Sequence, residues 1–251
     1  MSKSTKTYLK TAAKDYKSRS VNPPVVRAST ILFKTMQELR KHQKDIAKKK
    51  DVEHWDYGRQ GTQTTVQLQK MLRELEEAHK VFLTPTGFAA VALGIMSICR
   101  PGDEIVLSDG VYRPTQKLAD GLLKEFNIKA VWYNPSNFED LKKKITKKTK
   151  LIYVENPGSN TFEMNDLGKI VSLAKSKNIF TAIDNTWATA YFFKPLKLGF
   201  DISITSATKY YSGHADVMAG TVAVNKKAYK KVWWYNHVSG YRLSADDAYL
   251  V

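Results

Sequence analysis

The chain has 251 residues, of which 43% are hydrophobic and 11% aromatic, and its formal net charge is +16. This composition excludes an intrinsically disordered protein, and the polar, basic N-terminus lacks the apolar segment of a secretory signal. The lysines are spread along the chain without aromatic interleaving or zinc-finger spacing, which favours solvated helix faces over nucleic-acid binding. No stretch is long and apolar enough to cross a membrane. The single cysteine, Cys99, is predicted to pack on the buried side of a helix, and its lack of a disulfide partner favours a cytoplasmic protein.

The first 55 residues show little periodicity and are predicted to form an N-terminal arm that ends in a helix near residues 35–49. Downstream, short apolar strands alternate with amphipathic helices. The seven predicted strands are, in chain order, KVFLT, EIVLS, AVWYN, LIYVEN, IFTAID, DISITS and GTVAVN. Helices are predicted between them at residues 87–99, 113–126, 137–145 and 164–177. This alternation predicts an α/β fold with a mostly parallel sheet flanked by helices.

Ligands of such sheets bind beyond the carboxyl ends of the strands, and two sequence signals fall at strand ends. The stretch TPTGFAAV puts Gly87 and Phe88 at the start of a helix, where their backbone N–H groups suit a phosphate. A plain helix start would have the same pattern. Asp184 ends the strand IFTAID, either as a turn or N-cap residue or as the partner of a protonated pyridine nitrogen.

The third signal is Lys209 in SATKYYSGHADV, directly after the strand DISITS. A loop lysine is usually just exposed, but here the hydroxyls of Ser206 and Thr208 stand beside it and can bind an anion. A lysine amine is also a nucleophile towards an aldehyde. With Asp184 and Gly87, these residues fit one molecule that carries an aldehyde, a pyridine nitrogen and a phosphate. The sequence therefore predicts pyridoxal 5'-phosphate as the cofactor.

Three more residues extend this prediction. Tyr112, in DGVYRPT, follows the strand EIVLS and can stack on a pyridine ring, although a simple turn tyrosine fits equally well. Tyr57 and Arg59 alternate along WDYGRQGTQTT, which is interpreted as an extended segment, and arginine is a suitable phosphate ligand. A metal site is not expected, because the five histidines have no ligand spacing and the only cysteine is distant.

These motifs resemble the γ-family of pyridoxal-phosphate enzymes of transsulfuration. The resemblance runs from VNPPVVRASTILF through YGRQGTQTT, TPTGFAAV, DGVYRPT, YVENPGSNTFEMND, AIDNTWA and SATKYYSGHADVMAGTVAVN to SADDAYLV. Within the family, Thr62 and Ser159 stand where the synthases and γ-lyases usually carry asparagine, which favours the cystathionine β-lyases. The resemblance implies the aspartate-aminotransferase-like fold, known as fold type I, for the cofactor domain.

The resemblance also implies a role for each candidate residue. Lys209 would bind the cofactor aldehyde and then remove the Cα proton of the substrate. Tyr112 would stack on the ring as a second catalytic residue, and Asp184 would pair with the ring nitrogen. The phosphate would be held by Gly87, Phe88, Ser206 and Thr208, and by Tyr57 and Arg59 of a neighbouring subunit. The implied assembly is a homodimer or homotetramer.

The implied reaction is β-elimination of L-cystathionine to homocysteine, pyruvate and ammonia in methionine biosynthesis, with L-cysteine as a further substrate. Three domains are expected: an N-terminal arm and helix that contact a partner subunit (1–55), the cofactor domain (56–245) and the start of an inter-domain helix (246–251). Family members continue into a small C-terminal domain, and without it reduced activity is expected. Another transsulfuration activity (γ-synthase, γ-lyase or cysteine desulfhydrase) and a non-catalytic remnant are the alternatives.

Overall fold

The computed structural model describes residues 21–48, 50 and 56–251. Within them, seven strands form one sheet: β1 (Lys80–Thr84), β2 (Glu104–Ser108), β3 (Lys129–Tyr133), β4 (Thr149–Glu155), β5 (Phe180–Asp184), β6 (Ile202–Thr205) and β7 (Gly220–Val224). The helices of the same residues are α1 (Met36–Ala47), α2 (Gln63–Leu75), α3 (Gly87–Met96), α4 (Arg113–Leu118), α5 (Phe138–Lys144), α6 (Leu167–Ser176), α7 (Thr189–Phe192), α8 (Pro195–Leu198), α9 (Lys226–Ser239) and α10 (Ala245–Leu250). A π-helical turn, Ala119–Leu123, continues α4.

The sheet has the strand order β1-β7-β6-β5-β4-β2-β3. Strand β7 pairs antiparallel with both β1 and β6, and the other pairings are parallel. Strands β2 and β7 are buried along their whole length, as expected for strands covered on both faces. The carboxyl ends of β1, β2, β4, β5 and β6 therefore lie along one edge of the sheet, and the amino end of β7 joins them.

Apolar side chains pack on both faces of this sheet. One core joins α3 and α9 to side chains such as Ile105, Leu107, Ile202 and Ile204. On the other face, α6 packs over β4 and β5, and α2 packs beside β1. Helix α3 lies inside the protein because its sequence, GFAAVALGIM, is apolar on nearly every side. Cys99 is buried at 2% exposure, which confirms its predicted packing role, and burial raises the pKa of its thiol to about 12.

The predicted α/β fold and its mostly parallel sheet are confirmed, and each of the seven predicted strands is present within two residues of its expected limits. Helices α2 and α9 were not predicted. In α9 the aromatic pair Trp233 and Trp234 splits between a buried and an exposed position, which blurs the apolar periodicity. The predicted arm lies outside the described residues at 1–20, 49 and 51–55. No helix of the described part of the chain is apolar and long enough to span a membrane.

Candidate active site

The sheet brings most of the predicted site residues to one edge in a defined order. Along the strand order, the start of α3 comes first, then the turn after β6, then the end of β5 and finally the end of β4 with the segment after β2. These positions carry Gly87, Ser206 with Lys209, Asp184 and Tyr112, respectively. Residues separated by as many as 122 positions in the sequence thus lie on neighbouring elements. The order places the predicted phosphate ligands at one end and the predicted ring ligands at the other.

Gly87 packs directly on Ser206. A methyl carbon added to Gly87 would lie 2.4 Å from Ser206 Oγ and 3.0 Å from Ser206 Cα, so only glycine fits there without displacing the turn. At the same place, Thr86 caps α3 by accepting a hydrogen bond from the Ala89 amide. The first two amides of the helix, on Gly87 and Phe88, have no acceptor within the helix, because the carbonyl groups four residues before them lie outside it. The start of the helix and Ser206 therefore lie side by side, and such amides suit a bound phosphate.

The loop after β5 connects Asp184 to this phosphate end. Thr186 donates its amide to Asp184 Oδ1 at 3.0 Å, and its hydroxyl accepts a hydrogen bond from the Ser206 amide at 2.8 Å. Asn185 donates its amide to the Ile204 carbonyl oxygen at 2.7 Å. These bonds fix the spacing between the predicted ligand of the ring nitrogen and the predicted ligand of the phosphate.

Lys209 lies on a compact turn after β6 with its side chain exposed to solvent. The Lys209 amide donates to the Ser206 carbonyl oxygen at 3.0 Å, and the Lys209 carbonyl oxygen accepts a hydrogen bond from the Gly213 amide at 2.8 Å. The hydroxyl of Thr208 donates to the Ala219 carbonyl oxygen and accepts from the Ala219 amide, both at 3.0 Å. Because a hydroxyl has one proton, phosphate binding by Thr208 requires an exchange of this bond. Ser206 is freer to serve as the hydroxyl ligand.

Glu155, at the end of β4, is a site residue that the sequence analysis missed. It is 5% exposed, it is the register partner of Asp184, and its Oε2 accepts a hydrogen bond of 2.6 Å from the Tyr112 amide. Tyr112 is the N-cap of α4, and its ring is 48% exposed at the sheet edge. Glu155 lies in the motif YVENPGSN, and a carboxylate at the end of a buried strand is the sequence signal that could have identified it. Only the strand pairing shows that it adjoins Asp184.

Burial perturbs both of these acids. It raises the pKa of Asp184, against the hydrogen bonds from Thr186 that favour the charged form. It also raises the pKa of Glu155, and the neighbouring Asp184 carboxyl raises that pKa further. Among the described residues, no lysine, arginine or histidine forms an ion pair with Asp184. A buried carboxyl without a cation is stabilised by a protonated ring nitrogen beside it.

Tyr57 and Arg59 lie apart from this edge of the sheet. The predicted extended segment is wrong here: residues 57–61 form a turn, with hydrogen bonds from the Gln60 amide to Tyr57 and from the Gly61 amide to Gly58. Helix α2 begins at Gln63, directly after the turn, so the chain cannot stay extended. The Arg59 guanidinium lies 5.8 Å from the centre of the Tyr57 ring. The turn is linked to Arg242, which donates to the Gln60 side chain at 2.8 Å, rather than to the strand ends.

The residues at the strand ends fit the cofactor predicted from the sequence. They offer a phosphate site of two amides and a hydroxyl, an exposed primary amine next to it, and a buried carboxyl beyond the amine. A metal is not needed to explain this donor set. Within the described ranges, no three histidine, cysteine, aspartate or glutamate side chains are grouped to hold a metal ion.

The two buried acids predict a pH dependence of stability. Their native pKa values are raised, so the unfolded chain loses protons first as the pH rises above about 4 to 5, and stability falls with increasing pH. We expect Glu155→Gln to remove part of this fall, on the order of 2 kcal/mol between pH 5 and pH 8. Chemical unfolding of the cofactor-free protein across this range measures the effect. Glu125→Gln, at an exposed position, is the control. Parallel curves for Glu155→Gln and the unchanged protein would contradict the prediction.

Comparison with known proteins identifies the family of this chain. The family described as Cys/Met metabolism PLP-dependent enzyme matches residues 4–251. A putative cystathionine beta-lyase of Rhizobium johnstonii is 37% identical over 92% of this chain and 56% of its own length. The cystathionine beta-lyase of Haemophilus influenzae is 36% identical over 94% of this chain and 59% of its own. The chain thus spans less than two thirds of the length of these relatives.

A solved structure has the same fold. Cystathionine gamma-lyase from Lactobacillus plantarum, in complex with L-serine, superposes with a TM-score of 0.87 at 26% identity. The match covers 98% of this chain and 61% of that protein. The family description names pyridoxal 5'-phosphate, which confirms the cofactor predicted from the strand-end residues. This chain belongs to the pyridoxal-phosphate-dependent enzymes of cysteine and methionine metabolism.

Proposed function

We propose that this protein contributes the cofactor domain of a carbon–sulfur lyase that cleaves L-cystathionine by β-elimination to homocysteine, pyruvate and ammonia. The observation that carries the proposal is the single edge of the sheet where Gly87, Ser206, Lys209 and Asp184 meet, in a chain of this family. Relatives named cystathionine beta-lyase support the substrate. The products place the reaction in methionine biosynthesis, which we expect in the cytoplasm.

In this proposal the two ends of the site have different tasks. The amides of Gly87 and Phe88 and the Ser206 hydroxyl hold the phosphate, with Thr208 as a further ligand once its bond to Ala219 is exchanged. Asp184 keeps the ring nitrogen protonated, and its burial strengthens this pairing because little water competes for it. The bound cofactor supplies an electron sink for the bond at Cα of the amino acid. Tyr112 would stack on the ring.

Lys209 is the proposed base. Its amine would hold the cofactor and would serve as the base that removes the Cα proton of L-cystathionine. Its exposed position on the turn leaves it accessible to both cofactor and substrate. Removal of that proton allows the thiolate on Cβ to leave as homocysteine.

The position of Tyr57 and Arg59 supports a dimer. Their turn has no hydrogen bond to the strand ends of its own chain within the described residues, so phosphate binding by these residues calls for the site of a second copy. Arg59 carries a guanidinium suited to phosphate, held beside the Tyr57 ring. We therefore propose that the functional unit is at least a homodimer, in which each chain supplies Tyr57 and Arg59 to its partner.

The phosphate end predicts the effect of a small substitution. Gly87→Ala places a methyl group 2.4 Å from Ser206 Oγ, so the helix start and the serine must separate. We expect the dissociation constant for pyridoxal 5'-phosphate to rise about tenfold or more, since a hydrogen bond to a charged group contributes about 1.5–3 kcal/mol. Equilibrium titration of the bound cofactor's absorbance measures it. The control is Gly121→Ala, where an added carbon meets nothing within 4 Å; equal affinity in the two variants would contradict the prediction.

The amine chemistry predicts a covalent label. Treatment with pyridoxal 5'-phosphate and then borohydride should attach one pyridoxyl group to Lys209, as identified by peptide mass spectrometry. Lys209→Ala should lose this label, whereas Lys226→Ala, which also removes an exposed lysine, should retain it. A label distributed over many surface lysines, and unchanged by Lys209→Ala, would rule out the proposed role.

The reaction class is tested by the oxoacid product. β-Elimination of L-cystathionine gives pyruvate, whereas γ-elimination gives 2-oxobutyrate, and the two are separated by chromatography. The γ-lyase of Lactobacillus plantarum makes the second activity a specific alternative. We expect pyruvate as the main product and its loss in Lys209→Ala. A predominance of 2-oxobutyrate would assign the protein to the γ-lyases instead.

A further inference from the structure

A buried acid that the proposed site does not use lies beneath the Lys209 turn. Glu76 is the C-cap residue that follows α2, and it is only 1% exposed. Its Oε1 accepts a hydrogen bond of 2.9 Å from the hydroxyl of Tyr211, which is separated from it by 135 positions in the sequence. The nearby Lys194 is engaged with Glu77, the next residue, at 2.7 Å. Glu76 therefore meets a phenol rather than a cation.

Such a carboxyl is costly for a structural position. Burial raises the pKa of Glu76 to about 7, and the opposing effects of Tyr211, Ser203 and Lys194 do not cancel it. An apolar residue of similar size would pack at the end of α2 at lower cost. Residues that break a local rule of this kind are typically found where function requires them. The Tyr211 hydroxyl donates its hydrogen bond to Glu76, so the carboxyl is needed as an acceptor for this tyrosine.

Tyr211 connects the turn that carries Lys209 to α2 and α7 through its hydroxyl. It donates to Glu76 at the end of α2 and accepts from the Ala190 amide in α7 at 3.2 Å, and its ring packs on the apolar cluster beside β1. Helix α7 belongs to the segment that follows Asp184. The same residue is two positions after Lys209, on the turn closed by the hydrogen bond from the Ser212 amide to the Ala207 carbonyl oxygen at 3.0 Å. Tyr211 thus ties the lysine's turn to the body of the protein.

We propose that Glu76 and Tyr211 are positioning residues for Lys209: the buried carboxyl holds the tyrosine hydroxyl, and the tyrosine holds the turn from which the lysine amine reaches the cofactor. Lys209 itself is exposed and its turn lies at the edge of the sheet, so its placement depends on what anchors the turn. A small displacement of a reacting amine lowers its effective concentration at the aldehyde steeply. The inference rests on the proposed role of Lys209 as the cofactor-binding amine.

The test is the rate at which pyridoxal 5'-phosphate attaches to Lys209, followed by the growth of the visible absorbance of the lysine-bound cofactor. Tyr211→Phe removes only the hydroxyl. We expect attachment to slow about tenfold while borohydride still labels Lys209. The matched control is Tyr210→Phe, which removes a hydroxyl from the neighbouring residue, 60% exposed to solvent, and should leave the rate unchanged. The rates are compared at a temperature where every variant is folded. A slower rate then cannot come from a smaller folded fraction.

Glu76 is tested by a pair of variants. Glu76→Gln retains an oxygen that accepts the tyrosine hydrogen bond and should attach cofactor within about twofold of the normal rate. Glu76→Met keeps the length but removes the acceptor and should match Tyr211→Phe. The double variant, Glu76→Met with Tyr211→Phe, should be no slower than either single one, because the two residues act as a unit.

The outcomes separate the inference from the proposed function. Attachment by Tyr211→Phe at the normal rate, or equal slowing in Tyr210→Phe, would overturn the inference and leave the role of Lys209 intact. Should Glu76→Met fail to fold, Tyr211→Phe and Glu76→Gln still decide the matter. If the unchanged protein takes no label at Lys209, the proposed function falls first, and the inference falls with it.

Discussion

The close contact between Gly87 and Ser206 is the constraint on which the site depends. It brings the start of a buried helix against Ser206 in the turn after β6. The contact is possible because β7 runs antiparallel between β1 and β6 and holds both strands in register. Any side chain at Gly87 separates these elements. The proposed phosphate end of the site is therefore a property of the sheet's topology rather than of one loop.

The remaining parts of the site extend from that contact along neighbouring strands. Thr186 connects Ser206 to Asp184, and the strand pairing sets Glu155 next to Asp184. Both acids are buried where water cannot stabilise their charge, which costs folding free energy in the absence of a cation. In the proposed site, a cofactor with a protonated nitrogen would offset that cost, and cofactor affinity and protein stability would then be linked at the same residues.

The anchoring of the lysine is a separate matter from the shape of the site. Residues 206–213 form a turn whose backbone bonds are mostly local, and such turns need side-chain anchors to hold one conformation. Thr208 ties one side of the turn to Ala219, and Tyr211 ties the other to Glu76. Tyr57 and Arg59 lie on a different turn, which the hydrogen bond from Arg242 to Gln60 links to the segment after α9.

The sequence by itself determined the strands, the sheet class and the cofactor, because apolar runs and strand-end residues are local signals that survive without coordinates. It missed α2 and α9, and it took the turn at Arg59 for an extended segment, since those features depend on packing partners far along the chain. Only the tertiary structure decided that Glu155 adjoins Asp184, that the Thr208 hydroxyl is already engaged, and that Glu76 meets Tyr211. These are contacts between residues 11 to 135 positions apart, and no local pattern encodes which strand lies beside which.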